Sequence, residues 1–194
     1  MEIKIYSKSE QIKNPDFLKG VIIPNQTHSN NIIEIIFGKE DLKNCDGVFT
    51  SRENNFKLAI RTADCTAITF IDKYNYGIIH AGWRGLVNGI IEKMLEKFDN
   101  PEIFVAPFEE IGNTKRFLLG GNIGKILRGV FDHPQPLLNK EGSNKIIFNF
   151  EKALKSVLGD KAIFDKRDTL EDSDFYSYRR DKTKERNYTI LENK

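Results

Sequence analysis

His28, Cys65 and His80 are the side chains of this sequence best suited to hold a metal ion. His28 sits in the polar run Asn25-Gln26-Thr27-His28-Ser29, and His80 closes the apolar run Gly77-Ile78-Ile79. Cys65 stands where Arg61-Thr62-Ala63-Asp64 passes into an apolar stretch. Each lies where an apolar run meets a polar turn, which favours a site at strand ends. Two imidazoles and a thiolate would give a tetrahedral zinc three ligands and leave the fourth position for water or substrate, as in catalytic zinc sites. The gaps of 37 and 15 residues match none of the short-spaced zinc patterns. Spacing alone favours a plainer alternative, a buried thiol with two surface or core histidines. A metal-free hydrolase with Cys65 as nucleophile and His80 as base is a third reading.

Other groups near these positions suit anion binding and proton transfer. Ala81-Gly82-Trp83-Arg84-Gly85 precedes a helical pattern, and free N–H groups at a helix start beside the Arg84 guanidinium would attract phosphate. The same residues fit a plain glycine-containing connection with Trp83 packed on a sheet. Asp46 in Cys45-Asp46-Gly47 and Asp64 beside Cys65 are the carboxylates nearest these motifs, suited to orient a histidine or move a proton. Asp-Gly is also a common turn dipeptide. Arg179 and Arg180, next to Tyr176 and Tyr178, are candidates for a substrate pocket, whereas Lys182 to Arg186 reads as a polar edge segment whose arginines pair with nearby acids.

The elements that must position these groups follow from periodicity. Asn31 to Phe37, Lys57 to Ile60, Thr66 to Ile71 and Tyr76 to His80 read as strands. Leu86, Ile90, Ile91, Met94, Leu95 and Phe98 fall on one face of a helix. A second helix is expected from Asn122, burying Ile123, Ile126, Leu127, Val130 and Phe131, and a third over Glu151 to Leu158. Strands and helices interleave without the regularity of a doubly wound sheet, so the expected fold is a layered α/β domain of α+β type with a mixed sheet.

The 194 residues carry 30 basic and 28 acidic side chains, a net charge of +2, and suit one domain over residues 1–194. That balance argues against a general footprint for nucleic acid or an anionic membrane. The first residues lack the pattern of a signal peptide, and no apolar run approaches the ~20 residues of a membrane helix. The two cysteines, Cys45 and Cys65, are therefore expected as free thiols or ligands in a cytoplasmic protein.

Taken in order, Gln26-Thr27-His28-Ser29, Asp46 to Ser51, Arg61 to Cys65, His80 to Gly85 and Phe175 to Asp181 resemble the laccase-domain, or polyphenol oxidase-like, family. That family includes purine nucleoside phosphorylases and the peptidoglycan editing factor. The resemblance implies His28, Cys65 and His80 as metal ligands, for zinc or for copper in the same site. It places Arg61, Asp64 and Arg84 in the catalytic pocket and Gln26, Asp46 and Arg179 among substrate-binding residues. It implies phosphorolysis of adenosine- or inosine-type purine nucleosides, with adenosine deamination alongside. A metal-binding protein without turnover, or one acting on cell-wall precursors, is the alternative it carries. The chain departs from the family pattern over Phe104 to Leu127, at Asp168-Thr169 and at Glu185-Arg186.

Overall fold

The computed structural model describes residues 1–109, 115–118, 138–141 and 145–193. In chain order the strands are β1 Glu2–Tyr6, β2 Val21–Ile22, β3 Ile32–Glu34, β4 Gly47–Ser51, β5 Lys57–Thr62, β6 Thr66–Ile71 and β7 Asn75–Ala81. There follow β8 Glu102–Val105, β9 Lys115–Leu118, β10 Leu138–Glu141, β11 Lys145–Phe148, β12 Ala162–Phe164 and β13 Asn187–Glu192. The helices are α1 Lys8–Lys13, α2 Trp83–Val87, α3 Ile90–Leu95, α4 Phe150–Leu158 and α5 Tyr178–Asp181.

A six-stranded sheet runs β12-β8-β6-β7-β4-β3, a four-stranded sheet β1-β13-β5-β2 and a three-stranded one β10-β11-β9. The first two are mixed: β3 with β4, β8 with β12 and β2 with β5 are parallel, the other pairs antiparallel. This is the mixed α/β architecture that the interleaved pattern predicts.

The core has two layers. One apolar cluster joins Val48, Ala67 and Ile78 of the large sheet to Leu58, Ile60 and Leu191 of the smaller one. On its other face the large sheet buries Ile68, Phe70 and Ile79 against Leu86, Ile90, Ile91 and Met94 of α2 and α3 and Leu154 of α4. Because β7 is covered on both faces, successive residues Ile78 and Ile79 are both fully buried, and the strand reads as an unbroken apolar run rather than an alternating one.

The single helix expected after His80 is in fact two. Gly89, with φ +78, turns the chain left-handed between α2 and α3, a conformation that glycine adopts without a Cβ penalty and a right-handed helix cannot continue through. The apolar face survives the break, since Leu86, Val87, Ile90, Ile91 and Met94 are all buried. Helices this short are unstable alone in water, so burial holds them, at about 1.5–3 kcal/mol for each large side chain. The third predicted helix is found as α4, its start capped by Asn149, whose side chain accepts the Lys152 N–H at 2.8 Å. The helix predicted from Asn122 falls outside the described residues.

Candidate metal centre

The β6–β7 hairpin sets Thr66 opposite Ala81 and Ala67 opposite His80. Cys65, one residue before β6, therefore arrives beside the end of β7. It lies in the turn that carries the chain from β5 in the smaller sheet to β6 in the larger one. His28 comes from the loop between β2 and β3, where its own φ is +63. The ligand atoms of His28, Cys65 and His80 lie within 4.8 Å of one another. Cys65 Sγ is 3.8 Å from His28 Nε2, and the two imidazole rings meet edge-on with centroids 4.7 Å apart. His80 is buried, Cys65 partly buried and His28 exposed, so the group opens to solvent on the His28 side.

Asp46 ties two of these ligands together. Its backbone carbonyl accepts the His80 N–H at 2.7 Å, extending the β4–β7 pairing by one residue. Its carboxylate accepts from His80 Nδ1 at 2.8 Å, which fixes the protonated nitrogen and leaves Nε2 for a metal. The same carboxylate accepts the N–H groups of Thr27, His28 and Ser29 at 3.0, 3.0 and 2.8 Å and the Ser29 hydroxyl at 2.8 Å. One buried acid thus shapes the loop that presents His28 and the ring of His80.

Gly82 supplies the room. A Cβ there would lie 2.9 Å from Cys65 Sγ and 3.1 Å from His28 Cδ2, so this residue's lack of a side chain lets the two ligands approach. Gly82→Ala is expected to weaken zinc binding about tenfold, measured by competition with a chromophoric chelator. Unchanged affinity would mean that both side chains yield without cost.

The donors are electrostatically coupled. Burial pushes the Cys65 thiol up, but hydrogen bonds from His28 and His80 and their charges overcome it and bring the thiol down to about 6. Burial would lower His80, but the Asp46 carboxylate and then Cys65 raise it to about 9. Both shifts favour the charged pair, an imidazolium beside a thiolate, when no metal is bound. A metal needs the imidazole neutral, so its binding here would release the His80 proton. Zinc affinity is expected to rise about tenfold per pH unit between about 6 and about 9. Chelator competition across that range checks this, and a flat profile would contradict the coupling.

A cleft of about 900 Å³ opens in front of the ligands, lined among others by Gln26, Arg61, Asp64, Trp83, Arg84, Tyr178 and Arg179. Of the expected site residues, Asp46 is not in this lining: it is fully buried behind His80. Gln26 lines the cleft, but its carboxamide is bonded in both directions to the backbone of Arg61, at 2.8 and 3.0 Å, fastening the His28 loop to β5. Asp64 has φ +87, and its Oδ2 accepts the Arg179 N–H at 2.8 Å, anchoring α5 to the cleft wall. Arg180 turns away: its guanidinium bonds the carbonyls of Thr169, Leu170, Asp172 and Phe175 and the Asp181 carboxylate, a structural role.

Sequence reasoning missed Glu109, a fully buried acid of the lining whose Oε1 lies 2.6 Å from Arg179 Nε. It also missed Lys182, Lys184 and Arg186, which line the same cleft. The expected pairing of Arg186 with a nearby acid is not what the fold provides: its guanidinium bonds the carbonyls of Thr183 and Glu185.

Residues 9–191 match the family described as multi-copper polyphenol oxidoreductase laccase. A purine nucleoside phosphorylase of Aquifex aeolicus is 30% identical over 201 residues, covering 98% of this chain and 91% of that protein. The purine nucleoside phosphorylase YfiH of Escherichia coli is 27% identical over 165 residues, covering 81% of this chain and 68% of its own length. Among solved structures, YfiH of Bacillus licheniformis shares the fold with a TM-score of 0.75 at 20% identity, covering 96% of this chain and 80% of that one. YlmD of Geobacillus stearothermophilus does so with a TM-score of 0.70 at 20% identity, covering 96% and 78%. The matched span contains all three candidate ligands, the Asp46 anchor and the cleft they face, and the chain belongs to the multi-copper polyphenol oxidoreductase laccase family.

Proposed function

We propose that the chain is a zinc-dependent purine nucleoside phosphorylase, converting adenosine- or inosine-type nucleosides and phosphate into free base and ribose 1-phosphate. The observation that carries this reading is the meeting of two imidazoles and a thiol at the wall of a cleft whose described lining has six Arg and Lys side chains, two acids and the aromatic rings of Trp83 and Tyr178. The names of the Aquifex aeolicus and Escherichia coli relatives support it.

In phosphorolysis a phosphate oxygen bonds ribose C1′ while the bond from C1′ to the purine nitrogen breaks, its electron pair leaving with the base. Charge and positioning provide most of the help. Arg61 and Arg84, both in the cleft wall, hold the phosphate dianion. Trp83 and Tyr178 offer flat faces to the purine. Asp64 is the proposed proton carrier to the leaving base, its carboxyl oriented by the Arg179 N–H. Arg179, held at Nε by Glu109, directs its terminal amines to the substrate.

The donor set of two imidazoles and one thiol fits zinc, and by the order of affinities also copper. A bound zinc would supply a Lewis acid for negative charge developing on a reactant oxygen. Among the described residues this is the one group of three or more metal-ligating side chains. It suits single-ion Lewis-acid chemistry better than four-electron reduction of oxygen, which needs several copper centres.

Chromatography of adenosine and inosine incubated with the zinc-loaded protein tests the proposal. Base and ribose 1-phosphate are expected in equal amounts, and only when phosphate is present. Base without phosphate would make the protein a hydrolase, and inosine formed from adenosine would add deamination. No product from any purine nucleoside would overturn the enzymatic reading.

A further inference from the structure

Five cations of the cleft wall, Arg61, Arg84, Lys182, Lys184 and Arg186, form no ion pair with a carboxylate among the described residues. The chain as a whole is nearly neutral, at +2, so this surplus is a local concentration rather than a general excess of charge. Among the described residues the lining contains two acids, and both meet Arg179: Glu109 Oε1 lies 2.6 Å from its Nε, and Asp64 Oδ2 accepts its backbone N–H. Like charges gathered in one cleft repel each other and raise the local concentration of anions. One phosphate dianion answers two of them.

The cations come from two places. Arg61 is in β5 and Arg84 in α2, each a few residues from a metal ligand. Lys182, Lys184 and Arg186 come from the segment between α5 and β13. That segment is built rather than loose. Lys182 is left-handed at φ +50, and Arg186 bonds the Thr183 and Glu185 carbonyls at 3.1 and 2.8 Å, folding the segment on itself. Lys182 Nζ lies 5.4 Å from the centre of the Tyr178 ring, which also lines the cleft. A flat aromatic face beside these cations suits a base joined to a phosphate.

We infer that the cleft also accepts nucleosides that carry a phosphate of their own, nucleoside 5′-phosphates, with Lys182, Lys184 and Arg186 receiving the 5′-phosphate and Arg61 and Arg84 the attacking one. The inference rests on reading the cleft as a nucleoside site. Phosphorolysis of such a substrate breaks the bond from C1′ to the base, forms a C1′–O bond to phosphate and yields free base and ribose 1,5-bisphosphate, so its atoms balance without any further reactant.

Calorimetric titration of the zinc-loaded protein with adenosine and with AMP tests the inference. AMP is expected to bind about tenfold more tightly than adenosine at low salt. That ratio should shrink toward one when salt is raised from about 50 to about 500 mM. It should also shrink in Lys182→Ala/Lys184→Ala and in the charge reversal Lys184→Glu; both lysines are exposed, and thermal denaturation verifies folding. Adenosine bound as tightly as AMP, or a ratio indifferent to these variants, overturns the inference alone. Binding of neither overturns the nucleoside reading beneath it. Tighter AMP binding without phosphate-dependent base release would leave only a binding site for the 5′-phosphate and overturn both the phosphorylase and the reading of such nucleotides as its substrates.

Discussion

Replacing Cys65 by alanine is expected to lower zinc affinity about a hundredfold and phosphate-dependent base release by about two to three orders of magnitude. The first figure follows from structural zinc sites, where about 10–16 kcal/mol is shared by four ligands, or about 3 kcal/mol each. The second follows because an ion that stabilises reactant charge contributes several kcal/mol, which is lost with it. Folding should change little, since Cys65 lies at a strand end and is only partly buried. Chelation separates this account from a cysteine hydrolase. A metal centre predicts that the unmodified protein loses activity to a chelator and regains it with zinc, whereas a Cys65 nucleophile paired with His80 would ignore both.

Asp46→Ala is expected to cost about 3–5 kcal/mol of stability, the range for removing one partner of a buried charged pair, or on the order of 10 °C in melting temperature. The reason is the number of donors left behind: three backbone N–H groups, a hydroxyl and His80 Nδ1 all converge on this carboxylate. Asp46→Asn keeps the shape but turns an amide toward donors, so an intermediate loss is expected, with zinc affinity down about 10- to 100-fold. The sign of the pH dependence distinguishes the parts of this role. Burial opposes ionisation of Asp46, but His80 and the loop donors overcome it and hold the carboxyl well below the usual range. That contribution is present above the ordinary aspartate pKa near 4 and is lost as pH falls below it. His80 is shifted the other way, to about 9, so its charged bond to Asp46 stabilises the metal-free protein below about 6.5 and fades as pH rises through about 9. Thermal denaturation of the metal-free protein and Asp46→Asn from acid to alkaline pH should show their difference narrowing at both ends. A difference constant across the range would mean that Asp46 acts by packing alone.

The strand-end placement of His28, Cys65 and His80 was legible because transitions between polar turns and apolar strands are local, whereas their reading as one ligand set came from the family resemblance and not from their spacing. The partners that hold them were legible only in part, Asp46 being one of two carboxylates suited to orient a histidine, and it is the one that meets His80. Asp46 in an Asp-Gly pair reads first as a turn; only the antiparallel register of β4 with β7 shows that its carboxylate meets His80. Glu109 follows Phe108 without any spacing that ties it to Arg179, 70 residues later, and no sequence signal would have found it. The break between α2 and α3 did have one, the Asn88-Gly89 dipeptide, a turn signal that the apolar periodicity overrode. The alternation of Ile3 and Ile5 with charged neighbours likewise marks β1 as a strand, but its antiparallel pairing with β13 at the other end of the chain is set by tertiary packing.

The central claim is that His28, Cys65 and His80 bind one metal ion together. X-ray absorption at the zinc edge of the reconstituted protein, with metal content measured on the same sample, tests it most directly. The expected result is one zinc per chain with one sulfur at about 2.3 Å and two imidazole nitrogens at about 2.0–2.1 Å, the sulfur vanishing in Cys65→Ala. A shell of nitrogen and oxygen alone that is unchanged by Cys65→Ala, or zinc far below one per chain, would contradict it.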